Sequence, residues 1–462
     1  MAKSVLFITY FFPPAGGPGV HRSNKFVKYL PQFGYQPIVL TVNAEAYRRD
    51  RLYKVPLDDS LSDDIPIHTP IYRIPPCHHP YRFLQLLRKC RLDDFVLVPD
   101  HFVIWLGAFI INGLKILRKY QIDLLYTTMG PNSMALVGLI LKILTRKPWV
   151  ADFRDPWTQK AIRKYRTYLH YKIQEMMERL VLRAADMVIA NTPTSRTILL
   201  DKYRFLPNHK VSVIPNGFDA EDFHAAKLHL RSSQQNDKFT IAYTGVFKGS
   251  PADVPPITRF EKLRFFIKRL NQATYYSPYR ADLSTHSIQY LMEAIRSLLD
   301  QHPDLRTKIR IQLIGSLHDN DRAFLNRGGL AANVEISGYI SHRRAIEALC
   351  QADLLFLCLT SVRDRKLNEW VPQKTYEYLA SGKPILAPLP EGDAKDLVTK
   401  AGTGIACSPN NTEEMRNTIL RIYQAHADGE IPSSANEAFI AQFERKNLTA
   451  RLASLFDQLI EG

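Results

Sequence analysis

Two carboxylates, Glu369 and Glu377, stand with seven residues between them in the stretch NEWVPQKTYEYLASGKPI, residues 368 to 385. Pro372 falls inside that interval and discourages helix before itself. From Gln373 to Ala380 the residues are good helix formers, and Gly382 can end the helix. Glu369 is therefore expected on a loop approaching a helix and Glu377 on that helix's second turn. A helix start presents unpaired main-chain N–H groups and a partial positive charge, which suit a diphosphate. Lys374 adds a full positive charge in the first turn, where it opposes the helix dipole unless an anion binds. The flanking glutamates could then accept hydrogen bonds from sugar hydroxyls. An ordinary amphipathic helix with a solvated Glu and Lys fits the same spacing.

The elements that must position this stretch recur along the chain. SVLFITYFF is a β-branched and aromatic run followed by PPAGGPG and a helical pattern, the opening of a Rossmann-like unit. There Gly16, Gly17 and Gly19 allow close approach of backbone to a ligand, or make a tight turn with none. WVADFRDPW (149 to 157) puts Asp152, Arg154, Asp155 and Trp157 at the carboxyl end of a strand, where parallel sheets bind ligands. A structural Asp–Arg pair is the plainer reading of the same residues. VSVIPNGFD (211 to 219) combines a strand with a Pro-Asn-Gly turn suited to a hinge. FTIAYTGVF restarts the β-α alternation after it, ending at Gly245 with Lys248 just beyond, and PILAPL follows the opening stretch as a short buried strand.

A chain of 462 residues exceeds one ordinary core and implies two domains of roughly 200 residues each. The five cysteines are odd in number and lack CxxC spacing, which points to a reducing compartment. Cys77-His78-His79 has no matching ligand cluster, and Asp58-Asp59 and Asp63-Asp64 sit in a polar loop, so no metal is expected. The formal charge of +16 asks for an anionic partner. Residues 154 to 183 hold eight Lys/Arg against three acids, and residues 259 to 280 six against one. The first of these runs reads as one helix over 159 to 183, with apolar positions at Ile162, Tyr165, Leu169, Ile173, Met176 and Leu180. The longest uncharged apolar run, Phe102 to Leu114, has 13 residues, short of the ~20 that span a bilayer. No secretory signal is evident, so a cytoplasmic protein is expected, peripheral on the cytoplasmic membrane face.

The Glu-x7-Glu spacing before AxGKPI resembles the donor-site motif of family-4 retaining glycosyltransferases, two-domain enzymes of the GT-B fold. FPPxxGGxxxxR, ADFRDPW, PNGFD and the TG strand are similar to further motifs of that family and occur in its order over nearly the whole chain. The resemblance implies two Rossmann-like α/β domains with parallel sheets facing across a cleft. The acceptor domain would be 1–214, with a helix at about 437–462 packing back on it. The donor domain would be 215–436, with an insertion at about 249–282 where relatives run straight from strand to helix. By the same resemblance Glu369 contacts the donor sugar and Glu377 the ribose, and the main chain at Gln373 and Lys374 holds the diphosphate. Gly16 and Gly17 line the cleft beside the transferred sugar, Gly245 closes the first donor strand, and Lys248 and Arg280 are candidates to grip the phosphates. Asp152 stands at the reacting side. Asn132 occupies the place where relatives often carry a histidine, and it can donate a hydrogen bond but not shuttle a proton. Trp370-Val371 replaces the family's frequent Phe-Gly.

The implied reaction is retaining transfer from a UDP- or GDP-sugar, used as a substrate without an obligatory metal, to a lipid-linked or polysaccharide acceptor. A GT-B epimerase or phosphorylase would share the motifs. A basic nucleic-acid-binding protein would share only the charge, and no nucleic-acid module accompanies it.

Overall fold

The computed structural model describes residues 2–49, 55–76, 86–87, 89, 93–230, 238–249, 275–327, 329–430 and 435–461. The chain divides into two compact units, Met1–Pro215 with Asn271–Pro278 and Arg445–Gly462, and Asn216–Leu270 with Tyr279–Glu444. The division falls between Pro215 and Asn216, inside the PNGFD turn.

In the first unit the strands are β1 (Lys3–Ile8), β2 (Tyr35–Val42), β3 (Ile71–Ile74), β4 (Leu124–Thr128), β5 (Trp149–Phe153), β6 (Met187–Ala190) and β7 (Val211–Val213). They form a parallel sheet in the order β3-β2-β1-β4-β5-β6-β7. Successive residues of β1 feed opposite faces, as the two-residue period of a strand requires. Leu6 and Ile8 enter one core with Leu40, Leu125 and Trp149, while Val5 and Phe7 enter the other with Tyr126 and Phe456. Both faces are covered, which is why these strands read as continuous apolar runs. The C-terminal helix Arg445–Glu461 covers the second face with Leu448, Leu452 and Phe456. Asp457 pins it, 2.8 Å from Lys3 Nζ and 2.6 Å from the Tyr35 hydroxyl that donates to it.

The second unit repeats the plan. Strands β8 (Phe239–Thr244), β10 (Ile309–Ile314), β11 (Val334–Gly338), β12 (Leu354–Phe356), β14 (Ile385–Pro388) and β15 (Gly404–Cys407) lie parallel in the order β11-β10-β8-β12-β14-β15. A short antiparallel pair, β9 (Ala281–Asp282) with β13 (Ser361–Val362), stands beside it. In each unit the first strand is central and the order reverses on its far side, between β1 and β4 and between β8 and β12. Ligands of such sheets bind at the carboxyl ends of those strands.

Two expectations change. The segment expected as one helix over 159–183 becomes helical only at Tyr168, with Thr167 as its N-cap accepting from the His170 N–H. Its buried side carries Gln174, Glu178, Val181 and Leu182, so the apolar stripe Leu169, Met176 and Leu180 faces outward. Glu178 explains the inversion: it accepts from the Trp157 N–H, the Tyr203 hydroxyl and the Thr158 hydroxyl, bonds that draw the polar side inward. The apolar run at 102–114 lies in a 3-10 turn, His101–Trp105, that continues into a helix ending at Lys119. That makes 19 residues of mean hydropathy 1.3, long and apolar enough to cross a membrane, yet Phe102, Trp105, Phe109 and Ile116 sit in the first unit's core. The final helix is two, Glu437–Ala441 and Arg445–Glu461, broken where Phe443 packs on Tyr376 and Phe439 of the second unit. The insertion at 249–282 lies mostly outside the described residues, which resume at Tyr275.

Candidate functional site

In the second unit the motif stretch comes to the carboxyl ends of β8 and β12. Helix Gln373–Ser381 begins after extended Pro372, has no side chain capping its first turn, and ends at left-handed Gly382, φ 72°. Tyr378 ties it to the sheet, its hydroxyl accepting from the Thr244 N–H at 2.9 Å. Lys374 reaches over the strand end: Nζ donates to the Thr244 carbonyl at 3.1 Å and lies 3.7 Å from the centre of the Tyr243 ring. Among the described residues no carboxylate lies within ion-pair distance of it. Burial lowers its pKa to about 8, and the neighbouring Lys248 charge pushes the same way. Lys248 stands 5.2 Å from the Trp370 ring centre. Buried His286 is held down to about 2, first by desolvation and then by Lys374 and Lys248. The turn at Gly245 needs its glycine, with φ at +115°. It packs so closely on the next strand end that a Cβ on Gly315 would lie 2.1 Å from the Gly245 carbonyl oxygen.

The two glutamates are held differently. Glu377 is half-buried, with Oε1 3.2 Å from His342 Nε2 and accepting from Gln373 Nε2 at 3.3 Å. Gln373 also donates to the Gly217 carbonyl at 2.6 Å. Glu369 is buried, and Arg365 Nη1 lies 2.9 Å from its Oε1. Beside it the Trp370 indole N–H is buried with no hydrogen-bond partner among the described residues. An unmet buried donor costs about 1–3 kcal/mol, which a bound acceptor would recover.

In the first unit the corresponding loops follow β1 and β4. Gly17, at φ 85°, is the N-cap of helix Pro18–Tyr29, and the Gly16 N–H donates to the Pro56 carbonyl at 2.7 Å. Arg22 on that helix meets Asp152 at the end of β5 through two bonds, Nε to Oδ2 at 2.7 Å and Nη2 to Oδ1 at 3.0 Å. The Tyr126 hydroxyl donates to the same carboxylate at 2.6 Å, and Asp152 is fully buried. Arg154 instead donates to the Gly19 and Pro18 carbonyls. Asn132, with its amide oxygen turned toward them, accepts from Arg163 and from Trp157 Nε1.

Glycosyltransferase Family 4 matches residues 24–222, and Glycosyl transferases group 1 matches residues 279–425. This chain is a family-4-like glycosyltransferase of the GT-B fold. Its fold is shared by Alr3699/HepE of Anabaena in complex with UDP and glucose, at 17% identity and TM-score 0.58 over 99% of this chain and 100% of that one. A glycosyltransferase from Rickettsia africae ESF-5 is similar at 14% identity and TM-score 0.61, covering 100% of this chain and 99% of that one. Sucrose-phosphate synthase from Thermosynechococcus elongatus matches at 16% identity and TM-score 0.62, over 99% of each chain. No curated protein is significantly similar in sequence.

In this glycosyltransferase Gln373, Lys374 and Glu377 share one helix start, and Gly245 with Lys248 forms the loop after β8, the strand end that Lys374 reaches. Arg280 is exposed beside β9, its N–H donating to Asp364 at 2.6 Å and its carbonyl accepting from Arg363. Asp152 takes the structural role that the motif also allowed, but its partner is Arg22 rather than Arg154. Arg365 and His342 were not singled out from sequence. Arg365 stands four residues before Glu369, a spacing that marks it, whereas His342 comes from a separate helix and carries no local signal.

Proposed function

We propose that this glycosyltransferase retains anomeric configuration and moves a hexosyl group from a UDP- or GDP-sugar to a lipid-linked or polysaccharide acceptor in cell-surface glycan synthesis. The observation that carries the donor reading is Lys374, a largely buried cation in no ion pair among the described residues, at an uncapped helix start where the strand order reverses. A diphosphate supplies the missing negative charge. Alr3699/HepE bound to UDP and glucose supports a uridine nucleotide. In the step proposed, the bond from the anomeric carbon to the diphosphate oxygen breaks and the acceptor hydroxyl oxygen bonds the same face. Its proton passes to the departing phosphate oxygen. Lys374 and the main-chain N–H groups of the helix start stabilise the charge that develops there, and Glu369 and Glu377 orient the sugar and ribose hydroxyls. No protein base is required.

A panel of nucleotide sugars tests this by thermal shift. At a hundredfold excess over Kd one of them stabilises the protein by about 2.7 kcal/mol, and Glu377→Ala loses most of that gain. A flat response to every UDP- and GDP-sugar, or an undiminished shift in Glu377→Ala, would reject the reading.

The membrane-peripheral placement rests on the outward side of helix Tyr168–Ala184. Leu169, Met176 and Leu180 are 65%, 55% and 47% exposed, and Lys172, Arg179 and Arg183 flank them on the same exposed surface. Apolar groups framed by cations suit an anionic lipid surface. Flotation with phosphatidylglycerol vesicles is expected to carry the wild type and to leave behind the triple variant Leu169→Gln, Met176→Gln, Leu180→Gln. Equal flotation of both removes this helix as the contact.

A further inference from the structure

The first unit contains a cavity of about 520 Å³ at the carboxyl ends of β1 and β4, within the range of small-molecule sites. Five cations line it, Arg154, Lys160, Arg163, Lys164 and Arg166, against three acids, Asp93, Asp100 and Asp155. Two of those acids are already engaged. Asp155 pairs with Lys160 at 2.6 Å, and Asp100 accepts from the Ser133 N–H and hydroxyl and caps the turn at His101. Arg154 and Arg163 have no carboxylate partner among the described residues; they bond only carbonyls and the Asn132 amide. Lys164 is exposed and is likewise in no ion pair among the described residues. The Arg166 guanidinium lies over two rings, 4.8 Å from the centre of Phe95 and 5.1 Å from that of Tyr275. The cavity thus carries an excess of cations over acids beside aromatic walls.

Resting on the glycosyltransferase reading, we infer that this cavity binds the acceptor through a phosphate group. Guanidinium forks match phosphate oxygens in pairs. A volume of this size suits the head of a sugar phosphate or a lipid phosphate and is too small for a polynucleotide. The shared chemistry is a phosphate ester whose organic part lies on Phe102, Tyr165 or Tyr275.

Isothermal titration of the full chain under saturating UDP, which occupies the donor half, tests this with two probe pairs: glucose 6-phosphate against glucose, and farnesyl phosphate in detergent micelles against farnesol. At least one phosphorylated probe is expected to bind saturably and tighter than its phosphate-free partner. Removing one cation in Lys164→Gln, Arg166→Gln or Arg163→Met is expected to weaken that binding about tenfold, the scale of one charged hydrogen bond. Preference for glucose 6-phosphate identifies a soluble acceptor, and preference for farnesyl phosphate a lipid one. The inference is overturned if neither phosphate improves binding, or if the three variants bind as the wild type does while Lys374→Met loses the probe. Nucleotide-sugar thermal shifts on the same preparations keep the two readings apart. A normal donor shift without phosphate discrimination removes the acceptor assignment alone, whereas loss of the donor shift in the wild type removes the function proposed above.

Discussion

Lys374→Met is expected to lower kcat/KM for sugar transfer by about 10²–10³-fold, the range seen when one preorganised group facing developing charge is removed. Fold stability should hardly suffer, because the ammonium is held in a partly desolvated place, in no ion pair among the described residues, and its removal relieves that cost. The same residue sets a pH dependence. Its pKa is about 8 in the folded chain, against 10.5 for an ordinary lysine. Between those values the unfolded chain binds more protons, so stability of the unliganded protein rises with pH there. A bound diphosphate favours the charged form and reverses the preference. Affinity for a nucleotide sugar is therefore greatest below pH 8 and falls as pH rises through it, a trend that Lys374→Met abolishes. Titrations from pH 6 to 10 check the sign: affinity that is flat across that interval, or that rises, contradicts the placement of the phosphates on Lys374.

Breaking the buried pair in the first unit should cost the fold rather than the chemistry. Arg22→Met leaves Asp152 fully buried with the Tyr126 hydroxyl but without its ion-pair partner, a change worth about 3–5 kcal/mol of stability. Replacing both partners, Arg22→Met with Asp152→Leu, should recover much of that loss, because two apolar side chains leave no orphaned charge. Denaturant unfolding of the two single variants and the double variant measures the coupling. Additive losses would mean that the pair is not the tie between the first helix and β5.

Alternating apolar runs and glycine turns were enough to mark two parallel α/β units, and the order of FPPAGGPGVHR, ADFRDPW, PNGFD and Glu-x7-Glu was enough to mark the family. These signals are local, since strand period, turn chemistry and helix stops act within a few residues. The start of the helix at Gln373 and its end at Gly382 were legible for that reason. What the three-dimensional fold alone decided involves residues far apart in the chain. Asp152 is spent on Arg22, 130 positions away, because the fold brings the first helix to the carboxyl end of β5. The helix at Tyr168–Ala184 turns its apolar stripe outward because Glu178 finds Thr158 and Tyr203 inside, and periodicity marks a stripe without saying which side is buried. The cationic cavity likewise joins Arg154 and Arg163 to Asn132 and Asp100 only after segments far apart in the chain meet at one end of a sheet.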